Sequence, residues 1–224
     1  MKLKRIINTL GPICALLITN SAFGASYSTV ASVDASVEYR ANNPTGNINT
    51  DGNLITTQVG APGLVGIYEF DISAISPGSQ ILGAMLTLTF ADISNSFQNF
   101  YADSYIGNGV AETSDFSLGG SFIGGRPIAT DTPAGTVLSF SALPGDNLDI
   151  LQSAVDTGSF FGVRTRANLG NSFVNFHSLE STVSGITPPT LTVEFAPVPV
   201  PAALPLFVSA LGMFGLFNWR RRKG

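Results

Sequence analysis

The chain has 224 residues, and seven of its eleven basic residues lie in its first five and last five positions. The segment 25–195 keeps four arginines, no lysine and all fifteen acidic residues, a net charge of −11 that disfavours binding to phosphate backbones. The only cysteine, Cys14, lies outside this segment, which therefore has no disulfide, no thiol nucleophile and no cysteine metal ligand.

The first 24 residues have the pattern of a secretory signal peptide. A charged region at 1–5 precedes a short apolar centre at 13–18, and Ala22-Phe23-Gly24 provides a small-x-small cleavage pattern. The shortness of the apolar centre favours removal over a retained N-terminal anchor. We predict export by the Sec machinery and cleavage after Gly24.

Short β-like runs separated by Gly, Pro, Asn and Ser dominate segment 25–195. The clearest run is 81–90, where Leu86, Leu88 and Phe90 share one face. The predicted strands are 27–33, 36–40, 54–59, 66–72, 81–90, 100–106, 137–142, 160–166, 173–177 and 190–195. Many short strands at this spacing predict an all-β fold, a β-sandwich.

One short helix is predicted after the strand at 137–142. Asp146 or Asn147 is expected to cap its N-terminus and Gly158 to end it. Its apolar face consists of Leu148, Leu151 and Val155. Such a helix is expected to pack across an edge or an end of the sandwich.

No catalytic group is established by the sequence. His177 is the only histidine, and a serine triad needs a carboxylate that orients the base, so His177 followed by Ser178 is not sufficient. A solvent-facing residue on a strand is the better interpretation of this histidine. Carboxylates that offer a pair for glycoside cleavage are Asp103, Glu112 and Asp115. Fifteen acidic residues make such pairs common, so this pattern is weak.

The segment 47–52 partly resembles a calcium loop, because oxygen-bearing side chains alternate ahead of Gly52. Its first position is Asn47 rather than Asp, and Gln58 stands where a bidentate Glu is needed. Asn side chains that bond their own backbone explain such loops more simply. We therefore assign no metal and no cofactor.

An aromatic patch is the pattern that would favour sugar binding, because exposed Tyr and Trp combine an apolar face with a polar edge. Phe97, Phe100, Tyr101 and Tyr105 are close in sequence and offer such a patch. Core packing is the commoner use of the two phenylalanines.

The segment from about Ile67 to Phe195 resembles the DNRLRE-type surface domains, which are jelly-roll sandwiches related to some carbohydrate-binding modules. The resemblance rests on 68–72, 77–78, 81–88, the helix with Gly158, 161–163 and 189–193. The arginine that the family has ahead of the first run is missing, and so is its tryptophan-glutamate segment. Most matched positions are core positions, so the resemblance implies a fold rather than an activity.

The last 27 residues combine a proline-rich stretch, an apolar run and a basic end. Pro197, just before this segment, and the prolines at 199 and 201 predict an extended, exposed backbone. A helix from Pro205 to Trp219 would be only ~22 Å long against a ~30 Å hydrocarbon core, which favours a temporary anchor. Trp219 suits the membrane interface, and the cations that suit the cytoplasmic side are Arg220, Arg221, Arg222 and Lys223.

This tail resembles the PEP-CTERM sorting signals, specifically the VPLPA variant. Val198, Pro199, Pro201 and Ala202 match the motif, and Val200 stands where leucine is usual. The resemblance implies recognition by an exosortase, a membrane-embedded cysteine transpeptidase, with cleavage near the motif. An ordinary C-terminal anchor is the alternative.

The sequence thus predicts a signal peptide at 1–24, an exported β-sandwich at 25–195, a Pro-rich linker with the sorting motif at 196–201, a transmembrane helix at 202–219 and a cytoplasmic tail at 220–224. We expect a non-catalytic bacterial surface or matrix protein, finally at the cell surface or extracellular and associated with exopolysaccharide. The alternatives are a carbohydrate-binding module with a specific glycan and a polysaccharide-degrading enzyme. Neither nucleic acid nor a cofactor is expected as a partner.

Overall fold

The computed structural model describes residues 24–40, 43–50, 52, 54–58, 63–94, 98–142, 148–167 and 173–198. The predicted signal peptide up to residue 23 and the segment 199–224 therefore lie outside the described residues. Within the described residues, no helix is long and apolar enough to cross a membrane.

The described part of the chain is mostly β-structure with one short α-helix. Its strands are β1 Ala25–Val30, β2 Val33–Arg40, β3 Asn43–Asn49, β4 Leu54–Gln58, β5 Gly63–Phe70, β6 Gln80–Ile93, β7 Gln98–Gly107, β8 Ser121–Ile128, β9 Val137–Ala142, β10 Phe160–Ala167, β11 Phe173–His177 and β12 Thr190–Ala196. A 3₁₀ helix at Thr113–Phe116 lies between β7 and β8, and helix α1 at Asp149–Thr157 lies between β9 and β10.

The strands form one curled antiparallel sheet whose two halves face each other. In the first half, β12 lies between β1 and β6, and β9 pairs with the other side of β6. The second half has the order β3-β2-β5-β10-β7-β8. Strands β11 and β4 connect the halves, because β11 pairs with both β6 and β4, and β4 meets β5. The fold is therefore all-β, as the sequence predicts.

Strand β6 shows why the sheet encloses a core. Leu86, Leu88 and Phe90 are all buried, which confirms the predicted apolar face. Thr89, on the opposite side of the alternation, is buried too, because its hydroxyl donates to the carbonyl of Thr187 (2.7 Å). The core between the halves is filled by side chains of both, so each half covers the apolar face of the other.

The first predicted strand is wrong in extent, because the chain changes partners inside it. Strand β1 ends at Val30, and the Ala31 amide donates to the Pro189 carbonyl on the β12 side. The next amide, that of Ser32, donates to the Glu69 carbonyl of β5. Two adjacent residues thus bond to different halves, so one predicted strand becomes β1 and the start of β2.

Strands β3 and β8 were not predicted, since both contain residues that usually mark turns. Strand β3 includes Pro44 and Gly46, and β8 includes Gly124, Gly125 and Pro127. Among the described residues, β3 pairs only with β2 and β8 only with β7. Edge positions tolerate Gly and Pro because one side of the strand needs no ladder hydrogen bonds.

Helix α1 agrees with its prediction on the apolar face and at the C-terminus. Leu151 and Val155 are buried, and Gly158 ends the helix in the left-handed conformation (φ 66°). The helix begins at Asp149 after Leu148, which makes no side-chain capping bond; the predicted caps at 146 and 147 lie outside the described residues. Glycine is favoured at that last position because it carries no Cβ.

Candidate functional site

A group of buried ionisable side chains lies on one surface, which we call the outer face: the side of β2, β5, β10, β7 and β8 that points away from the core between the two halves and carries a second, smaller apolar cluster. The strand register places residues of neighbouring strands opposite one another on this face, so that they form rows across the strands. Glu69 of β5 and Tyr105 of β7 both lie opposite Gly162 of β10, and Asp103 lies opposite Arg164. Alternation along the strands therefore aligns residues that are far apart in sequence.

Glu69 is the centre of the first row and is fully buried. Its carboxylate accepts hydrogen bonds from the Tyr105 hydroxyl (3.0 Å) and from the amides of Asn108 (3.0 Å) and Gly109 (2.5 Å). A Cβ at Gly107 would lie 2.6 Å from the carboxyl carbon, so only glycine leaves room for this group. Burial raises the pKa of Tyr105, with the nearby Glu69 carboxylate adding to the shift. A buried charge with three donors is a structural anchor.

Arg164 anchors the other end of the loop 108–120. Its Nη1 donates to the carbonyls of Asp115 (2.9 Å), Phe116 (2.6 Å) and Leu118 (3.1 Å). Burial lowers the pKa of Arg164, whereas the nearby Tyr105 and Asp115 act in the opposite direction. The guanidinium therefore binds the 3₁₀ helix to the outer face through backbone groups.

Of the three carboxylates considered for glycoside cleavage, Glu112 and Asp115 together cap the 3₁₀ helix, whereas Asp103 has a different partner. Asp115 is buried and accepts the Glu112 amide (2.7 Å), and burial raises its pKa to about 6. Asp103 pairs with Arg166, and the Glu112 carboxylate accepts the Ser114 hydroxyl (3.0 Å). These contacts give each carboxylate a positional role in the loop or the strand.

The aromatic patch differs from the one predicted. Phe100 is fully buried in the core, Tyr105 is buried beneath the loop, and Phe97 lies outside the described residues. Tyr101 is half-buried on the outer face, and its partner is Phe122 of the unpredicted strand β8. The two ring centroids lie 6.1 Å apart at an angle of 54°.

Arg166 completes this part of the outer face. Its side chain is 52% exposed and pairs with Asp103, whereas Phe122 is 49% exposed. The register places Tyr101 opposite Arg166 and Phe122 opposite Asp103. We call these four residues the aromatic surface. The sequence did not predict this surface, because Phe122 lies on β8, and the glycines of β8 gave no strand signal.

His177 lines an open cleft of about 480 Å³ on the other half of the molecule. The expectation of a solvent-facing histidine is wrong, since only 8% of the residue is exposed. Its Nδ1 lies 3.0 Å from the Ser181 hydroxyl, and burial lowers its pKa despite the nearby Asp92. The Asp92 carboxylate accepts the Asn175 side-chain amide (2.6 Å), and Nδ1 of the imidazole bonds to a serine hydroxyl rather than to the carboxylate that a triad requires.

A further buried acid, Asp34 of β2, holds the turn after β11. Its Oδ2 accepts the Leu179 amide (2.7 Å), and 1% of the residue is exposed. Burial raises its pKa to about 7, and the neighbouring Glu180 adds to the shift. Within the described ranges, no group of three or more His, Cys, Asp or Glu side chains is placed to hold a metal ion.

The predicted processing sites flank one pair of strands. Gly24 directly precedes β1, and Val198 follows β12 by two residues and is 47% exposed. Ala25 pairs with Phe195, so the two ends leave the domain side by side. The remaining predicted positions lie outside the described residues: Ala22, Pro199, Val200, Pro201, Ala202, Trp219, Arg220, Arg221, Arg222 and Lys223.

Comparisons with known proteins give no family. No family model matches the chain, and no curated protein matches it either. Among solved structures, the CBM22-1 and GH10 modules of endo-1,4-β-D-xylanase 10B from Clostridium thermocellum, complexed with xylohexaose, are similar at 6% identity and a TM-score of 0.32. The match covers 81% of this chain and 30% of that one.

The VP2 subviral particle of infectious bursal disease virus is similar at 13% identity and a TM-score of 0.22, over 79% of this chain and 38% of that one. Similarities of this size assign neither a fold nor a function.

Proposed function

We propose that this chain is an exported, non-catalytic bacterial protein of the cell surface or extracellular matrix, processed by an exosortase and associated with exopolysaccharide. In this proposal the Sec machinery exports the chain, the C-terminal helix anchors it temporarily, and cleavage at the motif sends it to the surface. Its exported domain is a jelly-roll-like β-sandwich.

The pattern of the tail carries the proposal. The motif from Val198 to Ala202, the uncharged run after it, Trp219 and the basic end follow one another in the order that the sorting signals have. A processing enzyme needs an extended and accessible backbone. The exposed position of Val198, two residues beyond β12, supports that requirement.

The non-catalytic part of the proposal is supported by the contacts of the buried ionisable groups. Glu69 and Asp34 each accept backbone amides, and Arg164 donates to three carbonyls. A catalytic acid or base has to reach a substrate, whereas these groups spend their hydrogen bonds on holding loops to the sheet.

The intact mass of the protein in each cell fraction tests the proposal. We expect the outer-membrane or medium fraction to contain a chain that ends near residues 199–202. Replacing both Pro199 and Pro201 with alanine should leave a chain that still ends at residue 224 in the inner membrane. Pro197→Ala is the matched control, since it removes a neighbouring proline outside the motif and should be processed normally.

If the double variant is processed and located like the original protein, the motif is not read, and only the ordinary C-terminal anchor remains. The same conclusion would follow if the original protein kept its C-terminus to residue 224 and stayed in the inner membrane.

A further inference from the structure

We propose that the aromatic surface, formed by Tyr101, Phe122, Arg166 and Asp103, binds the sugar rings of a neutral extracellular polysaccharide. The inference rests on the proposed function, because only a protein outside the cell meets such a polymer. It adds a contact site and a ligand class to that proposal.

The two aromatic rings supply the apolar part of the site. A Cβ at Gly125 would lie 2.7 Å from the Tyr101 ring, so the ring lies directly against β8 at a position that only glycine leaves open. Phe122 flanks it at 6.1 Å between centroids, tilted by 54°. Two rings at this separation contact each other and form one continuous aromatic surface, of which the 49% exposed Phe122 presents the larger open part. The C–H groups of a sugar face pack on aromatic surfaces of this kind.

The Arg166–Asp103 pair supplies the polar part. A guanidinium has five N–H donors and a carboxylate about four acceptor sites, so the pair keeps capacity for sugar hydroxyls after it has formed. Asp103 is nearly buried, which fixes the half-exposed Arg166 beside Tyr101. Donors, acceptors and an apolar face in one place are the groups that a polyhydroxylated ring needs.

The charge of the domain disfavours an anionic polymer. Segment 25–195 has a net charge of −11, and the local pair of Arg166 and Asp103 adds no net charge. A polymer of uronic acids or sulfated sugars would meet repulsion from the domain as a whole. A neutral polysaccharide does not.

The loop 108–120 explains why the site would be rigid. Arg164, opposite Asp103, donates to three carbonyls of that loop, and Glu69 accepts the amides of Asn108 and Gly109. Asp103 and Phe122 of the aromatic surface lie in the same row as Arg164, and Tyr101 and Arg166 lie in the next row. Side chains supported in this way lose little conformational freedom when a ligand binds.

Affinity electrophoresis of the protein recovered from its producing cells tests the inference. The probes are the neutral polysaccharide fraction of the same matrix, dextran, galactomannan and hydroxyethylcellulose, with alginate as the anionic comparison. We expect saturable retardation by at least one neutral probe and none by alginate. Phe122→Ala and Tyr101→Ala should each lower the affinity about tenfold, the loss that corresponds to about 1.4 kcal/mol.

Met85→Ala is the matched control, because Met85 is an apolar side chain, 38% exposed, on the other half of the sheet. It should bind like the original protein. Arg166→Gln tests the polar part and should also weaken retardation. Each variant's thermal unfolding curve shows whether its fold is retained, and the exposed Phe122 gives the variant expected to perturb folding least.

The inference is overturned if no neutral probe retards the protein, if alginate is preferred, or if the folded Phe122→Ala protein binds like Met85→Ala. It is also overturned if Phe122→Ala changes the oligomeric state, since the surface then contacts a second copy. These outcomes leave the mass of the processed C-terminus unaffected, so failure here is distinguishable from failure of the proposed sorting.

Discussion

Replacing Glu69 with alanine tests the structural anchor of the outer face. The substitution removes the acceptor for the Tyr105 hydroxyl and for the amides of Asn108 and Gly109. A hydrogen bond to a charged group is worth about 1.5–3 kcal/mol, and water can reach the partly buried amides once the loop loosens. We therefore expect a loss of about 3–5 kcal/mol in the free energy of unfolding, a large share of the ~5–15 kcal/mol of a typical domain.

Urea denaturation measures this loss. The midpoint should fall while the slope of the unfolding free energy against urea concentration stays the same, because the folded core is unchanged. Glu194→Ala is the matched control: Glu194 is exposed on β12 and should cost less than about 0.5 kcal/mol. A loss below about 1 kcal/mol for Glu69→Ala would show that the carboxylate does not hold the loop.

A double-mutant cycle with Tyr105→Phe isolates one of the three bonds. Because Tyr105 donates directly to Glu69, the two substitutions should be non-additive, with a coupling energy of about 1 kcal/mol or more. Additive effects would refute a direct interaction between the two side chains.

Two further predictions concern other buried positions. Burial raises the pKa of Asp34 from 3.8 to about 7, so the folded state binds this proton more tightly, and the associated stability is lost as the pH rises from about 4 through 7. Thermal unfolding from pH 4 to pH 8 should therefore show Asp34→Asn gaining on the original protein, by at most about 4 kcal/mol; a pH-independent difference would contradict this. Gly162→Ala should destabilise by about 1–3 kcal/mol, because its Cβ would overlap the Tyr105 ring. Gly119→Ala, where a Cβ meets nothing, is the control, and equal urea midpoints for the two would contradict the expected overlap.

Strands with one clearly apolar face are predictable from this sequence. In β12 and in most of β6 the burial alternates as the residue types do, because each strand has one face on the core; Thr89 is the exception described above. Edge strands are harder to predict, because they tolerate residues that interior strands exclude. Strand β8 carries Gly124, Gly125 and Pro127, residues that mark a turn in an interior strand but are acceptable at an edge.

The polar sites are less predictable, because they depend on pairs of residues that only the fold brings together. Asp103 and Asp115 could be singled out by type, but their partners depend on the register of β7 and β10 and on the path of the loop 108–120. Glu69 did have a signal in the sequence. It is the only charged residue of strand β5, and a charge inside an apolar run usually has a buried partner.

Two arginines connect the part of the outer face that holds the loop 108–120 with the part that we propose as a ligand-binding surface. Segment 25–195 has only four arginines, and two of them, Arg164 and Arg166, lie two positions apart on one face of β10. Arg164 is buried and bonded to the loop, whereas Arg166 is half-exposed and paired with a carboxylate. Since strand alternation places both on the same side, the loop that covers one of them also fixes the strand that presents the other. A domain with so few cations therefore uses half of them to build one face. At the exposed part of that face, Tyr101 lies between Arg166 and Phe122, and a ligand there would meet fixed polar and aromatic groups together.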